Sequence, residues 1–172
     1  MKINQDVFVQ QGILDCQIDQ LIEYSNTDSN IQKFTSDKTR FADKDTFHQW
    51  LLKGRIIYTL IDKNKNLLGI IWFGPKNPPI KLDSKYNFTF SIRIYGLARG
   101  QGLSQEFTKI TFKDLLKNQP KSQITGFWLE TSKDNFPAIH TYQKFGFKTV
   151  SSPDYSNKII MILDSANINY EI

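Results

Sequence analysis

The chain has 172 residues, 40% of them hydrophobic and 13% aromatic, which is enough apolar material for one ordered domain and too much for a disordered segment. Its net charge of +5 comes mainly from scattered lysines, with only four arginines (Arg40, Arg55, Arg93, Arg99) and no basic run; this argues against nucleic-acid readout and suits capture of a small polyanion. One cysteine excludes an internal disulfide framework, and the longest apolar run, "LLGIIWFG" at residues 67–74, is far too short to span a bilayer.

The opening "MKINQDVFVQQG" has no apolar signal core, so a cytoplasmic protein without membrane attachment is expected. Residues 3–10 read as a first strand. Ile13, Ile18, Leu21 and Ile22 recur at near-helical spacing, which predicts a helix ending near Asn26. A polar stretch runs to about Arg40, and a second helix at 43–53 shows one face of Phe47, Trp50 and Leu51. "RIIYTLID", "KNKN" and "LLGIIWFG" read as a β-hairpin joining the second and third strands. After a proline-bearing connector at 75–85 comes a fourth strand, in which Phe88, Phe90, Ile92 and Ile94 alternate with Thr89, Ser91 and Arg93.

Leu103, Phe107 and Ile110 then form one stripe of a third helix, which should stop by Gln119-Pro120. "QITGFWLET" is a fifth strand. Asn135 is a natural N-cap and Pro137 fits the first turn of a fourth helix running to about Lys144. "FKTVSS" and "KIIMIL" supply two closing strands. With no repeat, low-complexity tract or linker, the order β-α-α-β-β-β-α-β-α-β-β describes a single mixed α/β domain over residues 1–172.

The stretch "YGLARGQGLSQEF", residues 95–107, joins the fourth strand to the third helix and carries three glycines. Glycine-rich turns that open a helix suit phosphate: main-chain N–H groups converge, the helix dipole favours negative charge, and absent side chains let an anion touch the backbone. A Walker loop requires lysine and Ser/Thr after its final glycine, and five residues past Gly96, where that glycine would fall, stands Gln101. A dinucleotide loop requires a third glycine where Gln105 stands.

The run Arg99-Gly100-Gln101-Gly102-Leu103-Ser104 instead resembles the R/Q-x-x-G-x-G/A pyrophosphate loop of the GNAT superfamily of acyl-CoA-dependent N-acyltransferases. Downstream, Asn135, Ala138, Tyr142, Gly146 and Phe147 reproduce that family's N-x-x-A-x-x-x-Y-x-x-x-G-F segment in register. The likeness is sharp over residues 88–150 and architectural before that. Ser104 departs from the usual glycine or alanine, and Gly96 from a common proline.

The resemblance implies an α/β (α+β) fold with a seven-stranded mixed, mostly antiparallel sheet, four flanking helices, and a splay between the parallel strands 4 and 5. It implies acetyl-CoA as acyl donor, with backbone groups of Ile92, Arg93 and Ile94 on the pantetheine arm. The amides of Arg99, Gly100, Gln101, Gly102, Leu103 and Ser104 would hold the pyrophosphate, the Arg99 side chain would add charge, and Asn135 would contact the cofactor while capping its helix.

Acyl transfer to an amine requires a neutral amine, donors for the oxyanion and a proton for the leaving thiolate. Tyr142 matches the family's general acid. The fourth strand, "FTFSIRIY", has no acid, so Glu130 at the end of the fifth strand is the candidate base, in a position resembling the glutamate of the ribosomal-protein N-terminal acetyltransferases. Trp72, Phe34 and Arg40, with Asp37, are candidates to line or cover an acceptor pocket, whereas Phe73 fits the core. His140, about 200° around its helix from Tyr142, reads as a surface histidine. Cys16 reads as a buried structural thiol. The dispersed His48, His140 and Cys16 show no metal-ligand spacing, so no metal is expected.

The expected activity is transfer of acetyl from acetyl-CoA to a primary amine of a small molecule or peptide in a ternary complex, without nucleic-acid or membrane partners. A longer acyl group, a protein N-terminus as acceptor, or a non-catalytic acyl-CoA sensor are the alternatives. Acceptor and oligomeric state, a homodimer included, stay open.

Overall fold

The computed structural model describes residues 1–118, 124–150 and 157–168. Its strands β1 (Val7–Gln11), β2 (Ile56–Asp62), β3 (Leu67–Pro75), β4 (Phe88–Ile94), β5 (Gly126–Ser132), β6 (Lys148–Val150) and β7 (Lys158–Asp164) form one mixed sheet in the order β1-β2-β3-β4-β5-β7-β6. β4 and β5 are parallel, and their ladder consists of Phe88 with Phe127 and Thr89 with Trp128. The β1–β2, β2–β3, β5–β7 and β6–β7 pairs are antiparallel.

Six helices accompany the sheet among the described residues, two more than expected: α1 (Asp15–Thr27), α2 (Ser29–Phe34), α3 (Asp37–Arg40), α4 (Lys44–Leu51), α5 (Leu103–Asn118) and α6 (Phe136–Phe145). The additions, α2 and α3, occupy the stretch read as polar connector. They are too short to show a hydrophobic period and are fixed by local bonds instead. The Asp28 carboxylate accepts from the amides of Asn30 and Ile31 at 3.0 and 3.3 Å and so caps α2. Among the described residues, no helix is long and apolar enough to cross a membrane. The expected stop of α5 at 119–120, and residues 151–152 of the sixth strand, lie outside the described residues.

Two compact units can be distinguished, Met1–Gly74 with Ile92–Thr111, and Pro75–Ser91 with Phe112–Ile172. In the first, α1 buries Gln17, Ile18, Leu21 and Ser25, positions that share one helical face. Ile18 and Leu21 pack with Phe41, Phe47, Trp50, Ile57, Ile70, Trp72 and Tyr95. Phe41 meets Trp50 and Trp72 edge-on, with centroids 5.0 and 5.9 Å away. Cys16 precedes this buried face and is exposed, which corrects the expected buried thiol.

The β2–β3 hairpin turn is held by Asp62, whose Oδ1 accepts from the amides of Asn64 and Asn66, both at 2.8 Å. The second unit is built on aromatic rings. Phe112 meets Phe127 at 4.7 Å, Phe145 at 4.9 Å and Phe90 at 5.1 Å, and Phe90 stacks on Phe147 at 5.6 Å.

Candidate active site

β4 leads through Tyr95, a short 3-10 turn at Gly96–Ala98, and Arg99 into the glycine loop and the start of α5. Gly100 and Gly102 have φ of +75° and +71°, the left-handed region that favours glycine. A Cβ built on either would meet nothing within 4 Å. Glycine is therefore needed here for backbone shape, and the space before the loop is open. The first-turn amides of α5 have no intrahelical acceptor and sit at the positive end of the helix dipole. Leu103, buried at 7% exposure, anchors that turn. An open cradle of this kind fits a diphosphate.

The Arg99 side chain, expected to face phosphate, is engaged elsewhere in its unit. Its Nε donates to the Ile94 carbonyl at 2.8 Å, and Nη2 is paired with Asp28. Asp28 thus caps α2 and neutralises the loop arginine, tying the base of the glycine loop to the end of α1. Any phosphate contact at this loop falls first to main-chain donors.

Nearby, Asp37 has 0% exposure and two guanidinium partners. Arg93 reaches it through Nε at 2.6 Å and Nη2 at 3.3 Å, and Arg40 pairs with it from the same α3 turn. Burial alone would raise the Asp37 pKa, but the charges and hydrogen bonds of Arg93 and Arg40 outweigh it and hold the carboxyl below its ordinary range. The structure therefore brings Arg93, Arg40 and Trp72 together, with both guanidinium groups over the indole. Trp72 itself is 4% exposed and part of the core. Phe34, on α2, lies under the Lys33 ammonium at 5.0 Å. Phe73 is fully buried, as a core residue should be.

Tyr95 follows β4, stacks on Tyr24 at 4.7 Å, and keeps its hydroxyl buried without a partner among the described residues. Burial pushes its phenol well above the ordinary value, so it stays protonated. Arg55, which lies against Gly74 with Nε and Nη1 buried and without a hydrogen-bond partner among the described residues, belongs to no recognisable motif, and neither does Tyr95. The signal that could have exposed Arg55 is Gly74, a glycine at the end of a strand where no turn requires it.

In the second unit, Tyr142 lies on α6 at 7% exposure, against Phe90 at 6.1 Å and Phe147 at 6.0 Å. Asn135 occupies the N-cap of α6 without a side-chain cap bond, contrary to expectation. Its φ of −87° and ψ of 60° depart from the extended geometry that side-chain capping needs, and Nδ2 reaches back to Thr131 Oγ1 at 3.4 Å. Glu130 is exposed on β5 and ion-paired with Lys158 of β7. Ile160 stands opposite Glu130 and Lys158 opposite Ser132, the diagonal relation in which long side chains meet. His140 is exposed. Among the described residues, no three His, Cys, Asp or Glu side chains gather as a metal site.

A mixed sheet with a parallel β4–β5 pair, and a left-handed glycine loop heading α5, define an α/β domain of the acetyltransferase class. The chain belongs to the Acetyltransferase (GNAT) family, whose model matches residues 25–147. The fold is similar to that of spermidine N-acetyltransferase from Vibrio cholerae, solved with CoA and spermine. The two share 14% identity and a TM-score of 0.71 over 95% of this chain and 98% of that one. It is also similar to a Streptococcus mutans UA159 protein, with 19% identity and a TM-score of 0.70 over 92% and 99%. A GNAT-family acetyltransferase of Staphylococcus aureus Mu50 gives 14% identity and 0.67 over 92% and 99%. No curated protein matches the chain in sequence.

Proposed function

We propose that the chain is a single-domain N-acetyltransferase that moves an acetyl group from acetyl-CoA to a primary amine in a ternary complex. The observation that carries this reading is the Gly100–Gly102 loop, whose two left-handed glycines open α5 onto free space in a chain of this family. Main-chain donors from Gly100 to Ser104 would hold the diphosphate, and the backbone of Ile92, Arg93 and Ile94 would bind the pantetheine arm. The β4–β5 ladder ends after Thr89–Trp128, in keeping with the expected splay. Since the Ile92 and Ile94 carbonyls accept from the Arg93 and Arg99 side chains, at 2.9 and 2.8 Å, main-chain amides of β4 would be the groups offered to the arm.

Tyr142 would protonate the departing thiolate. A phenol of ordinary pKa near 10 does so only with help from its site, because the thiol it regenerates titrates near 8.5. Asn135, held by Thr131 rather than engaged as a cap, would be free to contact the coenzyme. Glu130 would act as base only by exchanging its Lys158 partner for a water on the amine. The second reading, a non-catalytic acyl-CoA binder, is favoured by that ion pair and by the lack of an acid on β4.

Thiol release from acetyl-CoA, followed colorimetrically over a panel of amines, separates the two. Amine-dependent release is expected from the intact protein. Tight acetyl-CoA binding with no release across a broad panel would favour the binder.

A further inference from the structure

Three of the four arginines converge on one pair of tryptophans. Trp50 of α4 and Trp72 of β3 meet edge to face, with centroids 5.3 Å apart. The guanidinium carbons of Arg93 and Arg40 lie 4.8 and 5.6 Å from the centre of the Trp72 ring, and that of Arg55 lies 6.0 Å from Trp50. Asp37 is the carboxylate paired with Arg93 and Arg40. Arg55 has no such partner: its side chain makes no hydrogen bond or ion pair among the described residues, and Nε and Nη1 are buried. The nearby charge of Arg40 adds to the cost of keeping it ionised.

The position is nonetheless built into the hairpin. Ile56 pairs with Phe73, so Arg55 stands across from Gly74. A Cβ on Gly74 would come within 2.6 Å of Arg55 Nη1 and 2.8 Å of Cδ, so the guanidinium folds over β3 because that residue has no side chain. A partly desolvated cation without a counter-charge costs stability. An anion placed beside it restores the balance, and a guanidinium fork matches carboxylate or phosphate oxygens in particular.

We propose that Arg55, with Arg40 beside it on the Trp50–Trp72 wall, binds the carboxylate or phosphate of the acceptor, so that the amine acylated here belongs to an anionic molecule and not to a polyamine. This rests on the N-acyltransferase reading. A polycation approaching three guanidinium groups and one paired carboxylate would meet net repulsion. The likeness to spermidine acetyltransferases, at 14% identity, is one of fold and does not carry over the acceptor.

The test uses the intact protein saturated with coenzyme A, titrated with product-like probes while tryptophan fluorescence is followed. N-acetylglycine is compared with its neutral amide, N-acetylglucosamine 6-phosphate with N-acetylglucosamine, and N-acetylspermidine serves as the cation. At least one anion is expected to bind about tenfold or more tighter than its neutral twin, the scale of one charge-assisted hydrogen bond. The tighter of the two anions identifies the group recognised.

Arg55→Gln should abolish that preference while leaving coenzyme A affinity and the melting temperature undiminished, because the lost cation had no counter-charge and its contact with Trp50, at 6.0 Å, is at the outer limit of a cation–π interaction. Four results would each overturn the proposal: no binding of either anion, equal binding of the twins, a preference that survives in Arg55→Gln, or a variant that melts several degrees lower. If calorimetry on the same sample detects no coenzyme A binding, it is the acyltransferase reading that fails. The titration, repeated without coenzyme A, then decides the anion site by the same criteria.

Discussion

Tyr142→Phe is expected to lower kcat by about 10²- to 10⁴-fold, the usual contribution of a positioned general acid, while acetyl-CoA affinity changes little. The substitution keeps the ring that packs on Phe90 and Phe147, so the core of the second unit is preserved and only the proton donor is lost. Steady-state kinetics beside calorimetric titration of acetyl-CoA separate the two effects. An unchanged kcat would remove Tyr142 from the chemistry. An equal loss in coenzyme binding and turnover would make it a binding residue instead.

Asp37→Asn is expected to destabilise the folded chain by about 3–5 kcal/mol, the range for breaking a buried ion pair from one side. The amide fits the same space but leaves Arg93 and Arg40, both partly buried over Trp72, without their counter-charge. The pH dependence has a definite sign. Asp37 is held below its ordinary value of 3.8 in the folded state, so its contribution is complete above that value and is lost as pH falls through the lower folded pKa. Urea unfolding of wild type and variant should therefore differ fully near neutrality and converge in acid. A difference that stays below about 1 kcal/mol at pH 7 would mean that the cluster contributes little net stability, as exposed ion pairs do.

The parts of this molecule that were legible in the sequence are those with a repeating signal or a spaced motif. Alternation marked β4, the KNKN turn marked the hairpin, and the stripe of Leu103, Phe107 and Ile110 marked α5. The loop from Arg99 to Ser104 and the segment from Asn135 to Phe147 were recognisable because both motifs fell in order on the expected elements. The short helices α2 and α3 were hidden, because one or two turns cannot display a 3.6-residue period.

Side-chain commitments were hidden for a related reason, since they join residues far apart in the chain. Nothing near Arg99 announces that its partner is Asp28, and nothing near Arg93 announces Asp37. Asn135 sits at the predicted N-cap, yet its dihedral angles turn the amide toward Thr131 instead of the helix. Cys16 was misplaced because α1 turns its buried face one residue further along, at Gln17 and Ile18. Arg55 depends on the absence of a side chain at Gly74, a relation visible only once the β2–β3 register is known.

Isothermal titration of the folded chain with acetyl-CoA addresses the central claim most directly. The account predicts saturable binding of one acetyl-CoA per chain, weakened when Gly102 is replaced by valine, whose branched side chain disfavours the left-handed backbone on which the loop depends. A well-folded protein with no measurable affinity for acetyl-CoA or any other coenzyme A derivative would contradict it.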